Sequence, residues 1–133
     1  MDLARPCPCG LPATYDACCG RLLRGAAVAT TAEELMRSRY TAHVIGGREG
    51  ADHLFRSWHP RTRPDDVTPD PATTWTGLEV LEAVAGGADD TDGVVAFAAH
   101  HAGPGGAGVL RERSRFTRRA GRWVYVDGDV EAG

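Results

Sequence analysis

From residue 31 onward the spacing of hydrophobic and polar positions changes period. In "TAEELMRSRYTAHVIGG" (31–47), steps of about 100° per residue put Ala32, Leu35, Met36, Tyr40 and Val44 on one broad apolar arc. Thr31 followed three positions later by Glu34 is a capping-box start, and Gly46-Gly47 closes the far end, so the spacing predicts a helix. Ala51, Leu54, Phe55 and Trp58 follow the i, i+3, i+4, i+7 rule of a second helix, which Pro60 ends. Residues 21–30, small and weakly patterned, read as a connector, and the Pro- and Asp-rich stretch 60–74 reads as a loop. Beyond it the period drops towards 2. Strands are predicted over about 75–85, 93–101, 108–118 and 122–128. The breaks "GGADDTDG", "GPGG" and "RAG" carry turn chemistry, which favours an antiparallel meander over parallel crossovers.

These elements describe an α+β fold in which helices pack on a curved antiparallel sheet and close a cone. Three polar residues fall on inward faces. Arg39 and His43 lie inside the apolar arc of the first helix, and Glu112 alternates with Leu110, Ser114 and Phe116 on the core side of the third strand, opposite Arg111, Arg113 and Arg115. Two readings fit: an Arg39–Glu112 ion pair that satisfies the core, or the lining of a ligand pocket. His43 reads as an interior histidine in the first case and as an acid or base in the second.

At 133 residues the chain suits one compact domain with a small appendage, and it needs no disulfide framework to fold. Met1 to Pro6 leads straight into cysteines without an apolar leader, and no 18-residue apolar stretch occurs, so a cytoplasmic protein with no membrane association is expected. The formal net charge of −3 argues against a general polyanion binder. All fifteen cationic residues are arginine, however, and Arg111, Arg113, Arg115, Arg118, Arg119 and Arg122 crowd together, so a nucleic-acid or acidic-partner patch stays open beside a simple solvated face.

All four cysteines, Cys7, Cys9, Cys18 and Cys19, lie in "CPCGLPATYDACCG" (7–20). A disulfide is the poorest explanation, because a Cys18–Cys19 bridge closes a strained ring and the expected compartment is reducing. A single reactive thiol is a second explanation that leaves the other three cysteines unaccounted for. Metal binding accounts for number and proximity together: a Cys-x-Cys arm and a Cys-Cys arm folding back through Gly10 and Pro12 supply four thiolates to a tetrahedral zinc ion. Four protein ligands leave no position for substrate, which makes such a zinc structural.

The same stretch resembles the SEC-C motif, the short zinc-binding element at the end of the SecA translocation motor, through its cysteines, Pro8, Gly10, Tyr15 and Gly20. It differs at residues 11–14, "LPAT", where the familiar motif reads Ser-Gly-Lys-Lys and is basic. The blocks "LMRSRYTAHV" (35–44), "WHPRTRP" (58–64), "WTGLEVL" (75–81), "ERSRF" (112–116) and "GRWVYVDG" (121–128) resemble the YchJ-like family of bacterial proteins. That resemblance implies a SEC-C zinc knuckle over residues 1–24 and a domain similar to nuclear transport factor 2 over 30–129. Some relatives repeat the cysteine element after the last strand; "DGDVEAG" (127–133) holds no cysteine, so no role needing two knuckles is expected.

Carried over block by block, the resemblance implies that Arg39, Tyr40, Trp58, His59, Trp75, Glu112, Ser114, Arg115, Trp123, Tyr125 and Asp127 lie in or at the mouth of the cone. It implies no reaction, since that fold hosts enzymes, binding modules and scaffolds alike. Three functional readings follow. A non-enzymatic adaptor, docking a protein or ribosomal partner through the knuckle, leads. A small-molecule binder or enzyme would place His43 or His59 as base, oriented by Glu112 or Asp127, with Arg39 or Arg115 on an anionic group. RNA binding by Arg111, Arg113 and Arg115 stands third.

Overall fold

Turn chemistry fixes the topology. In a computed structural model, which describes residues 3–131, helices α1 (Cys19–Leu23), α2 (Ala32–Ile45) and α3 (Gly47–Arg56) precede strands β1 (Thr74–Ala85), β2 (Asp92–Gly103), β3 (Gly106–Arg119) and β4 (Arg122–Val130). Met1 and Asp2, which open both the 1–24 segment and the Met1–Pro6 stretch, lie outside the described residues. The strands form one antiparallel sheet in the order β1-β2-β3-β4. Register shifts between Trp75 and Gly77, Val80 and Glu82, and Arg115 and Phe116 bend it, because a bulge sharpens the local twist. Among the described residues no helix is long and apolar enough to cross a membrane.

α2 begins where its cap signature predicts: Thr31 Oγ1 accepts the amide of Glu34 at 3.1 Å, and Glu34 reaches back to accept the amide of Thr30 at 2.8 Å. Gly46 and Gly47, at φ 69° and 58°, break the chain sharply into α3. α2 is more than amphipathic. Its arc of Ala32, Leu35, Met36 and Tyr40 is buried, and so are Ser38, Thr41 and Ala42 on other sides. The helix is sandwiched between the sheet and a layer made of α3 and the cysteine segment, and the second contact uses small residues that no hydrophobic period reveals. α3 has no room for side chains at its closest approach: a Cβ on Gly50 would stand 2.2 Å from the Ala42 carbonyl oxygen. Gly50→Ala is therefore expected to cost about 2–3 kcal/mol by overpacking. Its check is a urea midpoint shift at constant slope, and an unmoved midpoint would show that the helices part freely.

Two sequence expectations change. Residues 21–30 are not a bare connector: Leu22 and Leu23 belong to α1, and with Ala29 they are buried. Leu22 enters the core formed by Leu35, Met36, Val95, Phe116 and Trp123, while Leu23 enters a second core around the cysteines. A two-leucine pair is too short to show a period, which is why it reads as linker. Phe55 is the other: it lies 47% exposed, outside the core, with the Arg63 guanidinium stacked 3.7 Å from its ring centre.

Candidate metal centre and cone pocket

The cysteine segment folds into two arms. Pro6 and Thr14 form an antiparallel bridge, the Cys7 amide donates to the Ala13 carbonyl at 2.9 Å, and Gly10 takes φ 90° where the first arm reverses. The Tyr15 carbonyl accepts the amides of Cys18 and Gly20 at 3.1 and 2.8 Å, which launches α1 from the second pair of thiols. Gly20 is required there, since a Cβ would lie 2.7 Å from the Tyr15 carbonyl oxygen. All four sulfurs lie within 4.8 Å of one another, and Cys9 and Cys18 are 3.7 Å apart. A tetrahedron with sulfur about 2.3 Å from its centre has edges of about 3.8 Å, whereas a disulfide needs about 2.05 Å. The four cysteines are free thiols, so the disulfide explanation falls and the donor set fits a thiophilic metal ion.

The electrostatics agree. The hydrogen bond from Cys19 holds Cys7 far below the ordinary thiol range and pushes Cys19 far above it, while burial first, then Cys9, pushes Cys18 up to about 12. Thiols packed this closely resist ionising together, and a bound cation is what lets all four become thiolates. Cys9 is fully buried, its carbonyl accepts Arg37 Nη1 at 2.8 Å, and the cysteines share a core with Tyr15, Leu23, Ala42 and Leu54. The knuckle thus closes onto α2 and α3. Tyr15 covers the sulfurs as its aromatic character suggests; burial raises its phenol to about 12, and its hydroxyl donates to Glu49 at 3.3 Å.

Within the cone is a cavity of about 210 Å³. Arg39, Tyr40, His43, Trp58, Trp75, Glu112, Ser114 and Tyr125 all line it. The chain after α3 supplies its cover: Ser57 O accepts the Tyr125 amide and Tyr125 O accepts the His59 amide, both at 2.8 Å, which pins Trp58 over Tyr125 with ring centres 5.1 Å apart. Arg39 is 8% exposed, its guanidinium 4.7 Å from the Trp58 ring centre and 4.6 Å from that of Tyr125. Nη1 donates to Leu54 O at 3.1 Å and Ser57 Oγ at 2.6 Å; among the described residues Nη2 and Nε have no hydrogen-bond partner.

Arg39 and Glu112 do not form the direct ion pair that the core-satisfaction reading expects. Glu112 Oε2 instead accepts Ser114 Oγ at 2.6 Å and Tyr125 Oη at 3.0 Å, so Tyr125 stands as intermediary with its ring on the cation and its hydroxyl on the anion. Burial lowers Arg39 to about 10 and raises Tyr125, with Glu112 adding to the latter; burial, then Arg39, lowers His43 to about 4. His43 is neutral at pH 7 and packs edge-on to Trp75 at 6.0 Å.

Four residues implied at the cone lie elsewhere. The His59 side chain closes a turn, its Nδ1 accepting the Arg61 amide at 3.1 Å. Arg115 pairs on the outer sheet face with Asp127 and, at 2.8 Å, with Asp129. Both Arg115 and Asp127 obey the period-2 alternation that set Arg115 outward, and Asp127 stands opposite it in register. Trp123 is buried in the core outside the cavity, its Nε1 donating to Thr30 O at 3.2 Å. Two cavity residues escaped sequence reading: Phe97 and Ala99, which counting alternate positions from the buried Val95 would have found.

A bent antiparallel sheet closed by helices over a polar-aromatic cavity, with a four-cysteine knuckle packed on those helices, defines the class: an NTF2-like cone joined to a SEC-C element. Residues 31–128 match the family model described as YchJ, middle NTF2-like domain. A UPF0225 protein of Streptomyces avermitilis is 54% identical over 123 residues, spanning 92% of this chain and 83% of that protein. One from Streptomyces coelicolor is 52% identical, spanning 93% and 94%. The chain belongs to this YchJ-like, UPF0225 family. The solution structure of a SEC-C motif containing protein from Rhodopseudomonas palustris superposes with a TM-score of 0.81 at 30% identity, over 95% of this chain and 98% of that one. A crystal structure of a SEC-C motif containing protein from Psychrobacter arcticus, 24% identical, has the same fold, with a TM-score of 0.75 over 100% of this chain and 87% of that one.

Proposed function

We propose that the chain is a non-enzymatic binding module. A structural zinc ion held by Cys7, Cys9, Cys18 and Cys19 staples the knuckle to α2 and α3, and the cone holds a small molecule with an anionic or acceptor group at Arg39 and an aromatic body against Trp75. Support for zinc comes from four clustered thiols in the SEC-C pattern, and four reduced cysteines suit a cytoplasmic setting. The observation that carries the binding reading is Arg39: a buried cation held between two rings, with two nitrogens lacking partners and no direct carboxylate contact among the described residues. Keeping such a group desolvated costs stability unless a ligand uses it.

The test is a titration of the intact protein with benzoate and indole-3-acetate, followed by tryptophan fluorescence. Saturable quenching is expected, weakened about tenfold or more by Arg39→Met, which keeps the apolar stem and removes the donors. Arg115→Gln, on the outer face, should leave it unchanged. No quenching by either probe, or equal affinity in Arg39→Met, would remove the cone from ligand binding.

A protein or ribosomal adaptor role draws support from a different feature: Leu3 and Leu11, 53% and 39% exposed, stand beside the buried thiols. RNA binding by Arg111, Arg113 and Arg115 draws less support, because Arg113 is paired with Glu82 and Arg115 with Asp127 and Asp129.

A further inference from the structure

A second cavity, about 330 Å³, opens between the 25–29 segment, the end of α3 and the β3–β4 turn, with Trp58 contributing to its wall as well as to that of the cone. Arg56, Arg63, Arg119 and Arg122 line it, and among the described residues no Asp or Glu does. Five arginines elsewhere are answered by carboxylates, Arg21 by Glu34, Arg24 by Asp16, Arg37 by Glu33, Arg113 by Glu82 and Arg115 by Asp127 and Asp129, whereas among the described residues none of these four is. The cleft arginines meet only neutral groups. Arg56 donates to Leu23 O at 2.9 Å, and Arg63 to Phe55 O at 3.4 Å.

The hairpin sets two of these cations side by side. Arg119 and Arg122 are direct cross-strand partners, a like-charge pairing, and among the described residues no carboxylate is paired to either. The turn between them, Ala120-Gly121 at φ 54° and 81°, is the tight two-residue kind that brings the two strand ends side by side. Trp58 Nε1, on the wall, is a buried donor without an acceptor. Four lining arginines with no carboxylate among the lining residues, and an apolar floor that includes Leu22 and Trp123, suit an anion carrying an apolar body.

We propose that this cleft binds a phosphorylated small molecule with an aromatic body, its phosphate between Arg119 and Arg122 and its ring over the apolar floor. The cavity's size favours a small molecule over RNA, and the strand arginines Arg113 and Arg115 beyond the hairpin are paired with carboxylates.

Calorimetric titration of the intact, metal-loaded protein with adenosine 5′-monophosphate, inorganic phosphate and a single-stranded RNA oligomer tests this. Adenosine monophosphate should bind saturably and inorganic phosphate more weakly. The double variant Arg119→Gln/Arg122→Gln should weaken nucleotide binding about tenfold or more, and Arg113→Gln should not. The double variant should also melt no lower than wild type when unliganded, because it relieves a like-charge pair; that separates a lost site from a lost fold. Equal nucleotide affinity in the double variant, no binding of either phosphate at about 5 mM, or RNA bound more tightly than the nucleotide would overturn the proposal.

Discussion

Cys9→Ser, or removal of the metal with a strong chelator, is expected to lower the melting temperature by about 15 °C. Cys9 is fully buried, and its carbonyl ties Arg37 of α2 to the knuckle. Its sulfur is one of four that share a core with Leu23, Ala42 and Leu54. Losing one ligand leaves three buried thiols in mutual conflict, and losing the ion removes the staple between the knuckle and two helices. The cost is below that of an isolated zinc finger, which unfolds outright, because the separate core around Leu35, Met36, Val95 and Trp123 persists. About 4 kcal/mol is a reasonable scale, and a domain of this size loses about 3–5 °C per kcal/mol. Circular dichroism melts alongside elemental analysis check both parts. One equivalent of zinc should accompany the wild-type protein, and its loss and the fall in melting temperature should track each other across chelator concentrations. A metal-free protein with an unchanged melting temperature would show that the thiol cluster holds itself together.

Much of this architecture is legible in residue order. The Thr31/Glu34 cap, the double glycine at 46–47 and the turn clusters set the element boundaries locally, so they needed no tertiary information. The cavity residues on α2 and β3 follow from periodicity, which is why Arg39, Tyr40, His43, Glu112 and Ser114 converge as their spacing implies. What stayed hidden depends on contacts between distant segments. Tyr125 as the link between Arg39 and Glu112 exists only because the chain after α3 pairs with β4. Leu22 and Leu23 split between two cores that sequence cannot see. His53 gave no signal, since its role arises where α3 crosses α2 through Ser38, and the arginine cleft gathers residues from α3, the 60–74 loop and the β3–β4 turn.

His53 carries the second large expectation: stability should fall steeply as pH drops from 6.5 towards 4, and His53→Gln should flatten that slope. Ser38 Oγ donates to Leu35 O at 2.7 Å, so it accepts from His53 Nε2 at 2.8 Å, which places the ring proton on Nε2 and leaves Nδ1 a buried acceptor without a partner. Protonating Nδ1 would create a buried cation facing Arg39 and Arg56. Burial first, then those two arginines, accordingly lowers His53 to about 3 from its usual 6.5. A folded-state pKa below the unfolded one means that the neutral ring's contribution is complete above about pH 6.5. It is lost as acid protonates the unfolded chain first, at up to about 1.4 kcal/mol per pH unit, on the order of 3 kcal/mol by pH 4. His43, lowered to about 4 by burial and Arg39, acts in the same direction. Gln reaches Ser38 from the same position without a titrating proton. His53→Gln should thus be less stable than wild type at pH 8, lose less between pH 6.5 and 4, and approach or overtake it at the acid end. Urea unfolding of both proteins at half-unit pH steps reads this directly, and parallel curves would move the acid sensitivity away from His53 to the thiolates of the metal centre.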